Sequence, residues 1–141
     1  GVGVESLVGL HVQRSLGMIV GILGILKAGG AYVPIDPELP GQRIALMLAN
    51  ASPAVVVTQE ALLPNVAAHD VATLSLDRDW SQIQQASADP PTVAMSAENL
   101  AYVVYTSGST GKPIPPIFAI WRSVWRCPRN QSHRRVECTE R

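Results

Sequence analysis

The sequence predicts an α/β fold: a partial, mostly parallel sheet flanked by helices, with an irregular C-terminal tail. Three observations carry that expectation. Short apolar runs of strand length alternate with longer segments of helical character between residues 7 and 105. One of those helical segments is apolar nearly all round, as a helix against a sheet would be. The composition, 47% hydrophobic and 16% charged over 141 residues, is that of about one globular domain.

The elements follow in order. Leu7-Val-Gly-Leu-His-Val12 reads as a buried strand. Ser15 is placed to cap a helix that runs to Ala28, where Gly29-Gly30 stops it. Gly17, Gly21, Gly24 and Ala28 share one face of this helix. Each internal glycine costs about 1 kcal/mol against alanine, so close approach to a sheet should offset the loss. Gly17-x-x-x-Gly21 also fits a membrane dimer motif, but the segment is too short to span and the core reading is preferred. Ala31-Tyr-Val-Pro-Ile35 is a strand whose Pro34 implies a sheet edge or a strand end. Gln42–Ala51 is a second helix, with Ile44, Leu46, Met47 and Leu48 as its apolar part. Ala54–Thr58 is a short strand rich in β-branched residues. A helix near Glu60–Val66 and a strand near Thr73–Leu76 follow, then a loop through Asp89-Pro-Pro91. Leu100–Tyr105 is the last strand, and it runs directly into Thr106.

Composition excludes several classes. The longest uncharged apolar run, Leu16–Leu26, is too short to cross a bilayer and lacks the flanks of a signal peptide, so a cytoplasmic protein without a membrane partner is expected. Two cysteines do not make a disulfide scaffold. Gly1-Val-Gly-Val-Glu-Ser6 misses the dinucleotide fingerprint, since position 6 is serine and the segment precedes a strand. The neutral total charge hides an asymmetry. Residues 1–113 carry five basic and nine acidic side chains, a net −4, and residues 114–141 carry six arginines and two glutamates, a net +4. That last stretch has both cysteines, two of the three tryptophans and the only phenylalanine, with no glycine, lysine or aspartate. So sharp a change marks a boundary after Pro113.

The chemistry concentrates in Thr106-Ser107-Gly108-Ser109-Thr110-Gly111-Lys112: four hydroxyls, two glycines and a lysine. Glycines let backbone N–H groups converge on one point, hydroxyls add neutral donors, and lysine adds a mobile charge suited to phosphate oxygens. Placed after a buried strand, such a loop is a candidate polyphosphate cradle; the plainer reading is a polar turn. It is no Walker A loop, because only two residues separate Gly108 from Gly111 and Pro113 follows the lysine. Ser109-x-x-Lys112 matches the Ser-x-x-Lys of penicillin-binding enzymes, but no Lys-Thr-Gly partner exists. Cys127, His133 and Cys138 are one ligand short of a structural zinc site, and no metal is expected there. The arginines and tryptophans of the tail could bind nucleic acid, but no motif supports it and no nucleic-acid partner is expected. His11 and His69 stand apart from any nucleophile and read as a core or surface histidine each.

Asn99-Leu-Ala-Tyr-Val-Val-Tyr-Thr-Ser-Gly-Ser-Thr-Gly-Lys-Pro113 resembles the phosphate-loop motif of AMP-forming adenylate enzymes. Leu26-Lys-Ala-Gly-Gly-Ala-Tyr-Val-Pro-Ile-Asp-Pro37 resembles the upstream motif of one branch, the amino-acid adenylation domains of nonribosomal peptide synthetases. Leu76-Asp77 and Trp80 also look like this family, and the resemblance covers residues 1–113. It implies part of the large N-terminal domain of an enzyme that attacks the α-phosphate of Mg2+-bound ATP with an amino-acid carboxylate. Aminoacyl-AMP forms, pyrophosphate leaves, and the acyl group passes to the phosphopantetheine thiol of a peptidyl carrier domain beside a condensation domain. It places Thr106–Lys112 on the β- and γ-phosphates, with Leu26–Pro37 mainly structural; no catalytic residue is assigned. Two alternatives stand beside this reading: a catalytically inactive fragment, and an acyl-CoA ligase of the same superfamily. Whether the chain alone is an enzyme is left open.

The pattern breaks after Pro113, where the family continues with Lys-Gly and this chain has Ile114-Pro115-Pro116. The amino-acid pocket, the adenine-binding segment, the ribose-binding aspartate, the hinge and the late lysine have no counterpart here, so 1–113 is expected to be a partial adenylation domain. Residues 114–141 have the composition of a GC-rich coding region read out of frame, or a disordered tail; a splice variant or cloning junction would look the same. Exposed apolar surface and self-association are expected of such a fragment.

Overall fold

The computed structural model describes residues 1–89, 91–105 and the backbone of 117–120. Among the described residues six strands form one sheet in the order β4-β3-β1-β2-β5-β6. They are β1 (Leu7–His11), β2 (Ala31–Pro34), β3 (Val55–Thr58), β4 (Thr73–Ser75), β5 (Leu100–Val104) and β6 (Ile117–Ile120). The first five run parallel, and β6 pairs antiparallel with β5. Among the described residues the α-helices are α1 (Leu16–Lys27), α2 (Gly41–Ala51), α3 (Leu63–Ala67) and α4 (Trp80–Gln85), with a 3-10 turn over Glu60–Leu62.

The period-2 alternation of the strands builds two cores. Val33, Val56 and Val103 point to one face and pack with Ile44, Met47 and Leu48 of α2 and Val66 of α3. Val8, Leu10 and Val57 point to the other and pack with Ile25 of α1, with Met18, Ile22 and Leu76 against them. Helices therefore lie on both sides of the sheet, as parallel strands joined by crossovers require.

Several sequence expectations need correction. α1 is not buried all round: only Gly21, Ile25 and Leu26 are buried, and Leu16 is 85% exposed. Its glycine face is only partly explained by the sheet. A Cβ on Gly21 would lie 2.8 Å from Leu10 Cδ1, whereas one on Gly24 would meet nothing within 4 Å. Ser15 does stand at the N-cap position, but its hydroxyl donates to the Gln13 carbonyl and caps no helix N–H. Pro34 marks the end of β2, not a sheet edge, since β2 lies between β1 and β5. Leu46 faces solvent, half exposed, and Ala51 takes its place in the core. The stretch expected as loop after β4 contains α4, one and a half turns begun at Asp79. Four residues of the tail expected to be irregular, Ile117–Ile120, form β6: an apolar run completes the open edge of β5.

Candidate functional site

The carboxyl ends of the five parallel strands lie along one edge of the sheet, the edge at which open α/β sheets bind ligands. Thr106–Lys112 lie outside the described residues. The described structure shows what holds the strand that leads into them. Asn99 Nδ2 and the Leu100 N–H donate to Glu5 Oε1 at 2.9 and 3.1 Å, which pins the start of β5. Ala101 and Val103 are fully buried. On the other face Tyr102 stacks on Tyr32 of β2, ring centroids 5.6 Å apart. Burial, with a smaller contribution from Tyr102, pushes the Tyr32 phenol above its usual range. Tyr105, the last described residue before the loop, packs against the α2-side core, and burial raises its phenol as well. The loop is thus reached from a strand fixed at its start, along both faces and at its end.

The Leu26–Pro37 segment serves this support, as its resemblance implies. Gly29 has φ +85°, the left-handed conformation that ends α1, and a Cβ there would lie 2.7 Å from Val93. A Cβ on Gly30 would press on the Ser6 carbonyl oxygen at 3.2 Å. Ala31 and Val33 are fully buried, and Asp36 Oδ1 accepts from the Glu38 N–H at 2.9 Å, closing the turn after β2.

Two polar groups at the same edge escaped sequence reasoning as organisers. His11 is fully buried at the end of β1. Its Nδ1 lies 3.1 Å from the Ile35 carbonyl, which fixes that nitrogen as the donor, and its Nε2 lies 3.4 Å from Asn65 Nδ2. Burial lowers the imidazole pKa despite the Ile35 bond and the charge of Asp36, which favours the neutral ring. The other is Asp77. Its Oδ1 accepts from Ser75 Oγ, the Glu60 N–H and the Arg78 N–H at 2.6, 2.8 and 2.9 Å, which hold its carboxyl down to about 2, the Ser75 bond first among causes. Asp79 accepts from the Ser75 N–H and pairs with Arg78 at 2.9 Å. The sequence signal was Asp-Arg-Asp directly after a strand, but one of the three donors to Asp77, the Glu60 N–H, comes from 17 residues upstream. His69 is half-buried and packs beside the α2 C-terminus.

Between the ends of β1 and β2 opens a cleft of about 510 Å3, bordered by Gln13, Arg14, Met18, Pro34, Asp36 and Glu38. No group of three or more potential metal ligands gathers among the described residues. No helix among them is long and apolar enough to cross a membrane.

Comparison with known proteins decides the family. A profile of AMP-binding enzymes matches residues 1–113. The chain belongs to the AMP-binding enzyme family. Within it the similarity lies with nonribosomal peptide synthetase adenylation domains. The chain is 54% identical over 113 residues to one of the linear gramicidin synthase proteins of Brevibacillus parabrevis, covering 80% of this chain and 2% of that protein. The AMPPNP-bound form of the nonribosomal peptide synthetase FmoA3 superposes with TM-score 0.72 at 33% identity, over 88% of this chain and 13% of that one. The N-terminal domain of FACL13 from Mycobacterium tuberculosis superposes with TM-score 0.78 at 24% identity, over 88% of this chain and 33% of that one. This last likeness is one of fold alone.

Proposed function

We propose that residues 1–113 are the phosphate-gripping part of an enzyme that activates an amino acid with ATP. The products are aminoacyl-AMP and pyrophosphate, made for thioester loading in nonribosomal peptide synthesis. The observation that carries the reading is the 54% identity to a linear gramicidin synthase protein across both motifs. The donor set suits the polyphosphate of ATP, and the AMP-binding family and the AMPPNP-bound FmoA3 structure support ATP as the nucleotide. Lys112 brings a charge, Thr106, Ser107, Ser109 and Thr110 bring hydroxyls, and Gly108 and Gly111 free backbone N–H groups. The acid carboxylate bonds to the α-phosphorus, the bond to the β-phosphate oxygen breaks, and pyrophosphate carries the charge away. Donors held toward the β- and γ-phosphates would stabilise that growing charge, which is where catalysis is gained. Mg2+ would arrive on the ATP phosphates, and the loop hydroxyls are hard oxygen donors suited to it. The carrier-domain phosphopantetheine thiol and a condensation domain complete the proposed partners, in the cytoplasm. The acyl-CoA ligase alternative has weaker support, since the Mycobacterium tuberculosis fatty acyl CoA synthetase is 22% identical, a likeness of fold alone.

We place the domain boundary after Pro113, with 114–141 unrelated to the family; the reversal of charge there and the end of the profile match support it. The nucleotide sequence around codon 113 tests this: a shifted frame opening with Lys-Gly and continuing into family motifs is expected, and its absence from all frames would refute the out-of-frame origin. The activity is tested by grafting residues 1–113 into the gramicidin synthase module in place of the segment they match. Amino-acid-dependent ATP–pyrophosphate exchange is expected from the graft and none from the 141-residue chain alone. A folded graft without exchange counts against the activity, and robust exchange by the chain alone counts against its incompleteness.

A further inference from the structure

The stagger of β5 against β2 decides where the chain leaves the sheet at Tyr105, and little in β5 itself sets it. Among the described residues Tyr32↔Tyr102 is the one register pair between β2 and β5, against four between β1 and β2. No tight turn fixes it either, because β5 is reached from β4 through residues 76–99. Side-chain alternation opposes a one-residue slip, which would turn the fully buried Ala101 and Val103 out of the core. A two-residue slip keeps every side chain on its face and moves the strand end by about 6.6 Å. Alternation does not oppose that slip.

The turn before β1 does. The Gly3 N–H donates to Ser6 Oγ and the Ser6 N–H to the Gly3 carbonyl, both at 3.1 Å. Ser6 holds β2: its carbonyl accepts from the Ala31 N–H at 2.8 Å. Glu5, the residue before it, holds β5 through the Asn99 and Leu100 bonds to one carboxylate oxygen. Asn99 is oriented for this by its Oδ1, which accepts from the Ser96 N–H at 2.6 Å. Two consecutive residues therefore bracket the starts of two neighbouring strands. Glu5 does so from φ +65°, a left-handed conformation that a residue with a Cβ adopts only at a cost and keeps where its contacts hold it. We propose, on the reading of Thr106–Lys112 as the pyrophosphate grip, that Glu5 is a positioning residue for it. With Ser6 it fixes the stagger of β5, and so the point from which that loop starts toward the β- and γ-phosphates. Misplacing groups at a site by about 1 Å can cost roughly 100-fold, and a slipped β5 would exceed that distance.

Glu5→Gly and Glu5→Gln test this. Glycine suits a positive φ and removes the carboxylate, so the turn is kept and the clamp is lost; glutamine keeps an acceptor oxygen. Each is made in the full chain and in residues 1–113 grafted into the gramicidin synthase module. In the full chain, nuclear Overhauser contacts between the Tyr32 and Tyr102 rings read the stagger without any catalysis. They are expected in the unmutated chain and in Glu5→Gln, and are expected to be lost in Glu5→Gly. Contacts retained in Glu5→Gly would overturn the proposal. In the graft, Glu5→Gly is expected to raise the KM for ATP and for pyrophosphate in the exchange reaction roughly tenfold, with the amino-acid KM unchanged and Glu5→Gln restoring both. A merely structural role would lower the active fraction and leave each KM in place; that result would overturn the proposal, as would equal loss in the two variants. An unmutated graft without exchange would count against the catalytic reading, and the ring contacts would still decide whether Glu5 sets the stagger.

Discussion

Two glycines one turn apart on α1 should respond oppositely to the same substitution. Gly→Ala inside a helix gains about 1 kcal/mol from backbone entropy and propensity alone. At Gly24 the new methyl meets nothing within 4 Å, so Gly24→Ala should realise most of that gain. At Gly21 the methyl would sit 2.8 Å from Leu10 Cδ1, with Val57 and Leu76 at 3.6 and 3.8 Å behind it. Leu10 is 4% exposed and wedged among Val8, Ile25 and Val57, so it has little room to retreat. Overpacking of this kind costs about 1–3 kcal/mol, which cancels or exceeds the propensity gain. The two variants should therefore differ by about 1–3 kcal/mol, with Gly24→Ala the more stable. For a chain of this size that is about 4 °C in Tm per kcal/mol. Thermal and urea unfolding followed by far-ultraviolet circular dichroism reads the difference. Equal shifts, or Gly21→Ala the more stable, would refute the packing of α1 on β1.

The polar organisers make further predictions. His11 has its folded pKa below the ordinary 6.5, so the unfolded chain takes up the proton more readily, and stability present above that value should fall as pH drops below it. His11→Phe should cost about 1–3 kcal/mol at neutral pH by stranding the Ile35 carbonyl, and should flatten the pH dependence between neutral and mildly acid solution. An unchanged slope in urea titrations would remove His11 as its source. Asp77 is held at about 2 against an ordinary 3.8, so its contribution is full above 3.8 and lost as pH falls through 2. Asp77→Asn should lower stability at neutral pH and reduce that acid-limb loss; identical acid unfolding midpoints would show that its hydrogen bonds do not stabilise the fold.

Most of the fold was legible because its signals are local. A β-branched run marked β3, an apolar run of strand length marked β5, and the Gly29-Gly30 pair marked the end of α1 through the positive φ that only the first of them adopts. What sequence could not show was which face of α1 the sheet takes. Its hydrophobicity is nearly uniform, so periodicity has no contrast to report, and nothing in the run separates the exposed Leu16 and Leu23 from the buried Ile25. α4 was hidden because its six residues have almost no apolar stripe and it begins from an aspartate cluster whose role depends on a distant turn. Thr106–Lys112 stood out by donor content alone and lie outside the described residues; the Tyr32–Tyr102 stack that flanks the strand before them was open to inference from the parallel pairing. The Glu5 clamp on Asn99 was not legible in the sequence, since 94 residues separate the two and only the sheet brings them together.

The central claim is that Lys112 and its loop grip the departing pyrophosphate of an amino-acid-activating enzyme. The measurement that tests it most directly is amino-acid-dependent ATP–pyrophosphate exchange by residues 1–113 grafted into the gramicidin synthase module, with and without Lys112→Ala. Charge-assisted hydrogen bonds are worth about 1.5–3 kcal/mol, so the substitution should cut exchange roughly 10- to 150-fold, while Lys27→Ala at the far end of α1 should leave it intact. Exchange by the Lys112→Ala graft equal to that of the unmutated graft would contradict the account.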